Sequence, residues 1–275
     1  MLKTLKILKY IFGTILIINV LIIFLSYNLF VNRTLTKHDD IGFKEKYKKE
    51  LFEKIKNLKQ LNSYLHKKAK DNNISKNDLA FLNLASDIVK ERFYYDGYSF
   101  YESSENIILY YLGKYVWEDF AAIVVPDDIL KKEHAACSQQ SIVLMELVKM
   151  NGFQVRKVGL NRHFALEAKL KGNWYFFDPT FEPNFKNKRK SLKFLMKNKE
   201  SLFVKYSHKM SNKETEALFS SIRYGKINQF PAYKMILVHK FCKFYLKNLL
   251  ILSLILLFSV FLINKKTTYL NEKLL

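Results

Sequence analysis

An α+β domain held between two transmembrane helices is the architecture this sequence predicts, and three observations predict it. Residues 10–31 form a run of 22 without a charge, and residues 244–263 are interrupted by Lys247 alone; roughly 20 apolar residues span a hydrocarbon layer. Helical periodicity dominates residues 43–150 between these runs. Short strand-like segments then follow over residues 153–177. Helices first and antiparallel strands second is the element order of an α+β fold.

Taken in order, residues 1–9 form a basic tail with Lys3, Lys6 and Lys9, and residues 10–31 read as a retained span. A cleaved signal peptide fits less well, because the run exceeds the usual ~7–15 apolar residues and no small-x-small cleavage site follows. Residues 32–75 read as an amphipathic helix and linker: Phe43, Tyr47, Leu51, Ile55, Leu58, Leu61 and Leu65 form one apolar stripe amid lysines. Packing on the domain suits that stripe better than a coiled-coil seam. The domain itself is expected over residues 76–235. Ser75 and Asp78 resemble a capping box for a helix running to about Phe93. The aromatics Phe93, Tyr94, Tyr95, Tyr98, Phe100 and Tyr101 fit a peptide or glycan groove and a core edge equally well. Further helices are expected over 107–120, 138–150 and 211–224, with strands over 153–160, 163–170 and 174–177 and a turn at 171–173. The second span is followed by a basic tail over 264–275, with Lys265, Lys266 and Lys273. Short basic tails on both sides of two spans place both tails in the cytoplasm and the domain on the non-cytoplasmic side.

Charge narrows the partners. Lysine and arginine number 46 against 25 acidic residues, a formal net charge of +21. The run Lys186, Lys188, Arg189, Lys190, Lys193, Lys197 and Lys199 suits membrane lipids or acidic polymers. Nucleic acid is a poor partner, since no recognised nucleic-acid motif accompanies the charge. Cys137 and Cys242 are the two cysteines. They do not make a disulfide framework.

The densest chemistry lies in residues 134–183. Ile142, Met145 and Val148, with Leu144 and Leu147, mark a helix that Asn151-Gly152 ends. Cys137 therefore stands at the helix N-terminus, where unpaired amides and the positive dipole end favour a thiolate over a thiol. His163 opens the second strand and Asp178 closes the third, so both lie at one end of a hairpin. A nucleophile, a base and an orienting carboxylate need that placement. It also constrains the hairpin register: Asp178 must fall opposite Ala165, leaving His163 its diagonal neighbour, or opposite His163 itself.

The order Cys137, His163, Asp178, the spacings of 26 and 15 residues, the His-x-x-x-Glu of His163 to Glu167, Trp174 ahead of the aspartate and Asp178-Pro179-Thr180 resemble the transglutaminase-like superfamily. The resemblance covers roughly residues 84–183. It implies a papain-like core, with N-terminal helices and a nucleophile helix packed on a small antiparallel sheet. It also implies Cys137 as nucleophile, His163 as general base and acid, and Asp178 as the group holding the imidazole. Ala135 and Ala165 depart from the glycine and tryptophan usual there; with Glu167 and Trp174 they are the candidate lining of a substrate groove. Trp117 is the upstream candidate for a second oxyanion donor beside the Cys137 amide.

Thiol-dependent acyl chemistry on a protein, peptide or glycopeptide amide follows from the resemblance, with no metal or organic cofactor. A zinc site drawn from His134, Cys137, His163 and Asp178 is the weaker reading, because structural zinc seldom combines a carboxylate with a single cysteine. The alternative of another class is a non-catalytic scaffold that keeps the fold and assembles with a membrane-complex partner.

Overall fold

With only 8 glycines and 4 prolines in 275 residues, this chain opens its helices on asparagine and serine, whose side-chain oxygens take up first-turn amides. In the computed structural model, which describes residues 2–31, 46–185 and 188–272, Asn57, Asn106, Ser191, Asn198 and Ser211 each accept from the backbone N–H three residues on. The helices that result are α1 (Leu2–Val31), α2 (Lys49–Lys54), α3 (Leu58–Asp71), α4 (Leu79–Arg92), α5 (Ile107–Tyr115), α6 (Pro126–Ile129) and α7 (Cys137–Met150). Strands β1 (Gln154–Leu160), β2 (His163–Leu170) and β3 (Asn173–Phe177) follow, then α8 (Leu192–Lys197), α9 (Lys199–Tyr206), α10 (Asn212–Leu218), β4 (Arg223–Tyr224), α11 (Tyr233–Lys247) and α12 (Leu249–Glu272).

The fold class is α+β, and the chain divides into two compact units. One comprises Met1–His38, Phe100–Ala121 and Leu237–Leu275; the other comprises Asp39–Ser99 and Ala122–Ile236 and carries the sheet. The amphipathic stretch is therefore part of the sheet-bearing unit. It is two helices rather than one, because Ile55 is extended and Asn57 caps a fresh start. Its stripe survives the break, with Leu51, Ile55, Leu61 and Leu65 buried, while Phe43 lies outside the described residues. Ser75 accepts from the Asn77 amide instead of forming a capping box with Asp78. The helix expected over 107–120 stops at Tyr115, and a 3-10 turn over Glu118–Phe120 replaces its end. The helix expected over 211–224 stops at Leu218, which frees Arg223 and Tyr224 to join the sheet.

The sheet is antiparallel throughout, in the order β3-β2-β1-β4. Both hairpins close on two residues: Leu160 pairs with His163 around Asn161-Arg162, and Leu170 pairs with Asn173 around Lys171-Gly172. Lys171 and Gly172 both adopt positive φ, +49° and +83°, the signature of a type I′ turn that matches the twist of its strands. The turn is thus one residue shorter than expected, and Asn173 already belongs to β3. Along β2, alternation sends Ala165 to the face where Val158, Leu160 and Phe176 meet Leu192 and Leu195 of α8 and Leu202 and Tyr206 of α9. α7 packs against β2 and β1. Parity leaves it the face of Phe164, Leu166 and Ala168, all buried.

In the other unit α1 and α12 pack along each other. Asn19, fully buried, donates to Ser253 Oγ at 3.1 Å and accepts from the Tyr245 hydroxyl. Asn248 separates α11 from α12, and Tyr233–Lys247 meets Ile251–Lys266 at 68°. Among the described residues no single helix is long and apolar enough to cross a membrane; that bent pair meets the requirement together.

Candidate active site

The start of α7 is fastened by three consecutive polar side chains. Gln139 Oε1 accepts from the amides of Ser99 and Ala136, at 2.8 and 3.1 Å, and its Nε2 donates to the carbonyls of Ser99 and Ile123, both at 2.8 Å. Every hydrogen-bonding position of that buried amide is used. Gln140 Nε2 donates to the Ala135 carbonyl at 2.9 Å, and Ser141 Oγ donates to the Phe164 carbonyl at 2.9 Å. The last of these ties the helix that begins with Cys137 to the strand that begins with His163. A polar cluster this well satisfied rigidifies the place it occupies.

Cys137 is the first residue of α7, half-buried and unbridged. The imidazole of His163 is held by a carboxylate, with Nε2–H donating to Asp178 Oδ1 at 2.9 Å, and the ring senses the Cys137 side chain. Since Nε2 is engaged, Nδ1 is the nitrogen left for the sulfur. Burial works against a charged ring here and is the largest single influence. The charge and hydrogen bond of Asp178, then those of Cys137, together overcome it and push the His163 pKa up to about 10. The Asp178 carboxylate thus favours the protonated ring.

Asp178 is fully buried and held on both oxygens. Oδ1 also accepts from the Phe181 amide at 3.3 Å, and Oδ2 accepts from the Tyr206 hydroxyl at 2.9 Å. Burial, and then the neighbouring Asp178 charge, drive the Tyr206 phenol well above its ordinary pKa, so it remains a donor. The Phe181 ring lies over the imidazole, centroids 4.7 Å apart. The loop that carries it is clamped by Arg189, which donates to Asn83 Oδ1 at 2.7 Å, to the Phe176 carbonyl at 2.8 Å and to Glu182. Ser86 reaches Glu182 from α4 at 2.7 Å.

No known family, no curated protein and no solved structure matches this chain. The site is therefore read on its own geometry.

Of the residues singled out from the sequence, Cys137, His163 and Asp178 come together. The four groove candidates do not line that place. Ala135 and Ala165 are fully buried, the latter in the cluster beneath α8 and α9. Glu167 is equally buried because the sheet needs it. Arg156 grips its Oε2 at 2.6 and 2.9 Å, and its Oε1 accepts the Leu192 amide at 2.7 Å. The Arg156 guanidinium lies over the Trp174 ring at 4.4 Å and over the Tyr224 ring at 4.2 Å. Trp117 belongs to the other unit, half-exposed and edge-on to Phe120.

The basic run also divides. Lys186 lies outside the described residues, and Arg189 is buried between Phe177 and Phe185. Among the described residues no group of three or more histidine, cysteine, aspartate or glutamate side chains is placed to hold a metal.

Two functional neighbours went unread. Gln139 had a signal, because Ser138-Gln139-Gln140-Ser141 is a polar block at the head of an apolar helix. Tyr206 had none, since it is one aromatic among the 17 tyrosines and stands 28 residues beyond the carboxylate it serves.

Proposed function

We propose that this chain is a membrane-anchored cysteine enzyme of the transglutaminase-like kind, with a papain-like core, that acts on amide bonds through an acyl-enzyme. The observation that carries the reading is the buried His163–Asp178 hydrogen bond, with an imidazole that senses the Cys137 side chain at the head of α7. A nucleophile that heads a helix, a proton carrier and a group that holds the carrier are the parts such chemistry needs.

In this reading the Cys137 sulfur attacks the amide carbon while the carbonyl π pair moves to oxygen. The oxygen faces the amide of Cys137, which as the first residue of α7 has no partner four residues back. Collapse of the tetrahedral adduct breaks the C–N bond, and the Nδ1 proton of His163 passes to the departing amine. An incoming nucleophile then gives its proton back to His163 and releases the acyl group. Water makes the chain a peptidase or amidase; a lysine amine makes it a cross-linker. Asp178 keeps Nε2 bonded throughout, and Tyr206 keeps Asp178 from turning.

Anchoring rests on the two apolar ends, with both tails cytoplasmic and the sheet-bearing unit on the other side. Membrane lipids and a protein, peptide or glycopeptide substrate are the partners this implies.

The test is labelling by a fluorescent iodoacetamide in wild type, Cys137→Ala and His163→Gln, with folding of each checked by circular dichroism. Cys137→Ala is expected to remove the rapid phase. His163→Gln is expected to slow it roughly a hundredfold, the lower range of what a positioned proton-transfer group supplies. Equal labelling of wild type and His163→Gln would overturn the assignment and leave the non-catalytic scaffold.

A further inference from the structure

The last two helices differ in where their apolar side chains face. α12 exposes them over a broad arc: Leu254, Ile255, Leu257, Phe258 and Phe261 are each more than half exposed. α11 exposes a single stripe. Leu237, Phe241 and Phe244 are 65, 66 and 63% exposed, and spacings of four and three put them on one side of the helix. The opposite side is covered by the same unit. His239 and Cys242 are buried there, the His239 Nε2–H donates to the Phe120 carbonyl at 3.0 Å, and the Tyr101 ring meets the imidazole edge-on at 5.2 Å.

Charge and direction say what meets the stripe. α11 carries four lysines and no acidic residue. Lys240 and Lys247, both exposed and seven residues apart, run along one edge of the stripe. Their stems can lie on apolar surface while the ammonium groups stay among polar ones. The helix also turns away from α12, by 68° across Asn248. Where α12 crosses a bilayer, α11 therefore lies nearer the membrane plane than its normal. An apolar stripe, a basic edge and an in-plane direction together fit the boundary between acyl chains and headgroup phosphates. The stripe is also continuous in the chain with the broad apolar surface of α12, which needs the same lipid.

We propose that α11 is an interfacial helix: Leu237, Phe241 and Phe244 enter the acyl boundary of a phospholipid bilayer, and Lys240 and Lys247 meet the phosphates at its surface. The proposal rests on the reading of α12 as a membrane span and adds a second mode of attachment to it. A helix lying in the plane fixes how far α12 slides along the bilayer normal, because rising wets the stripe and sinking buries the lysines.

Nitroxide scanning of the full-length chain in vesicles of phosphatidylglycerol and phosphatidylcholine tests it. Single cysteines are placed in a Cys137→Ser, Cys242→Ser background, with the fold of each variant checked by circular dichroism. Oxygen, which gathers among acyl chains, and a water-soluble nickel chelate report the two environments by collision. Leu237→Cys, Phe241→Cys and Phe244→Cys are expected to favour oxygen over nickel severalfold more than Lys240→Cys and Lys247→Cys do. Leu237 and Phe244 lie ~10 Å apart along the helix. At 68° from a crossing α12 that separation gives only ~4 Å of depth. Equal nickel access at the stripe and at the two lysine positions, with Leu254→Cys in oxygen-rich lipid, overturns the interfacial helix and leaves the span standing. A depth difference of the full ~10 Å overturns it as well, since α11 then belongs to the crossing. Spin-spin broadening at the stripe assigns it to a second copy of the chain instead. Free nickel access at Leu254→Cys overturns the span on which the proposal rests.

Discussion

His163 is where the electrostatics of this molecule concentrate, and its pKa sets the direction of the pH dependence. Its folded value of about 10 lies above the ordinary 6.5. Folding therefore favours the protonated ring: the stabilisation is fully present below pH 6.5 and is lost as pH rises through about 10. Two outcomes are expected. Between pH 7 and 10.5 the iodoacetamide rate at Cys137 should lose its dependence on His163, and the denaturation midpoint should fall over the same interval. In Asp178→Asn the alkaline limb should move down toward the ordinary histidine range, because the charge that holds the proton has gone. A limb that stays near pH 10 in that variant would assign the shift to something other than Asp178. Tyr206→Phe separates holding from charge. Losing one hydrogen bond to a buried carboxylate costs about 1.5–3 kcal/mol of stability, while the limb should stay close to its wild-type position.

At the same scale, the three triad residues were legible because residue type, order and spacing coincide with helix and strand boundaries that hydrophobic periodicity marks. The residues that hold them were not. Tyr206 and Arg189 reach the site from chain segments whose local pattern is solvated and lysine-rich, and only the tertiary packing of α9 and of the loop after β3 turns them inward.

Among the elements, the β2–β3 hairpin decides whether the triad exists. Of the registers that bring His163 and Asp178 together, the chain adopts the one that continues to Asp178 opposite Ala165, since Leu166 pairs with Phe177. The diagonal from His163 is then within side-chain reach, and the contact forms at 2.9 Å. Parity had narrowed the contact to two registers, of which this is one, but the loop that selects it was not legible. Lys171 takes a left-handed conformation that its residue type does not announce. Asparagine adopts it more readily, so Lys171→Asn is expected to stabilise the sheet-bearing unit by about 0.5 kcal/mol. Gly172→Ala should destabilise it by about 1 kcal/mol. The added Cβ would meet nothing within 4 Å, so that cost is conformational. Chemical denaturation of both variants measures it, and a neutral Gly172→Ala would exclude the type I′ turn as the element that fixes the register.

At the scale of the whole molecule, chain order and spatial grouping part company. Residues 100–121 interrupt the sheet-bearing unit in sequence, yet belong with the two chain ends. Apolar runs and lysine counts reveal the ends; nothing in the local pattern of 100–121 marks it as their companion. Within that unit Asn19 is buried against Ser253 and Tyr245. An apolar helix pair keeps such a residue where an interhelical hydrogen bond satisfies it.

The proposed anchoring makes a prediction about sides. α1 carries residues 10–31 as part of one helix, and in the proposed anchoring this apolar end crosses the membrane. At the other end the chain turns through 68° near Asn248 before its apolar stretch. In that proposal a second crossing returns the C-terminus to the side of the N-terminus, and short basic flanks assign both tails to the cytoplasm. In a background with Cys137→Ser and Cys242→Ser, a single cysteine at Ser207, exposed in the sheet-bearing unit, should react in intact cells with a membrane-impermeant maleimide. One at Thr4, exposed on α1, should react only after the membrane is opened. Extraction with alkaline carbonate should leave the protein in the membrane pellet. Labelling of Thr4→Cys but not Ser207→Cys in intact cells would invert the topology and put the Cys137 chemistry among cytoplasmic substrates. Release by carbonate would remove the spans altogether.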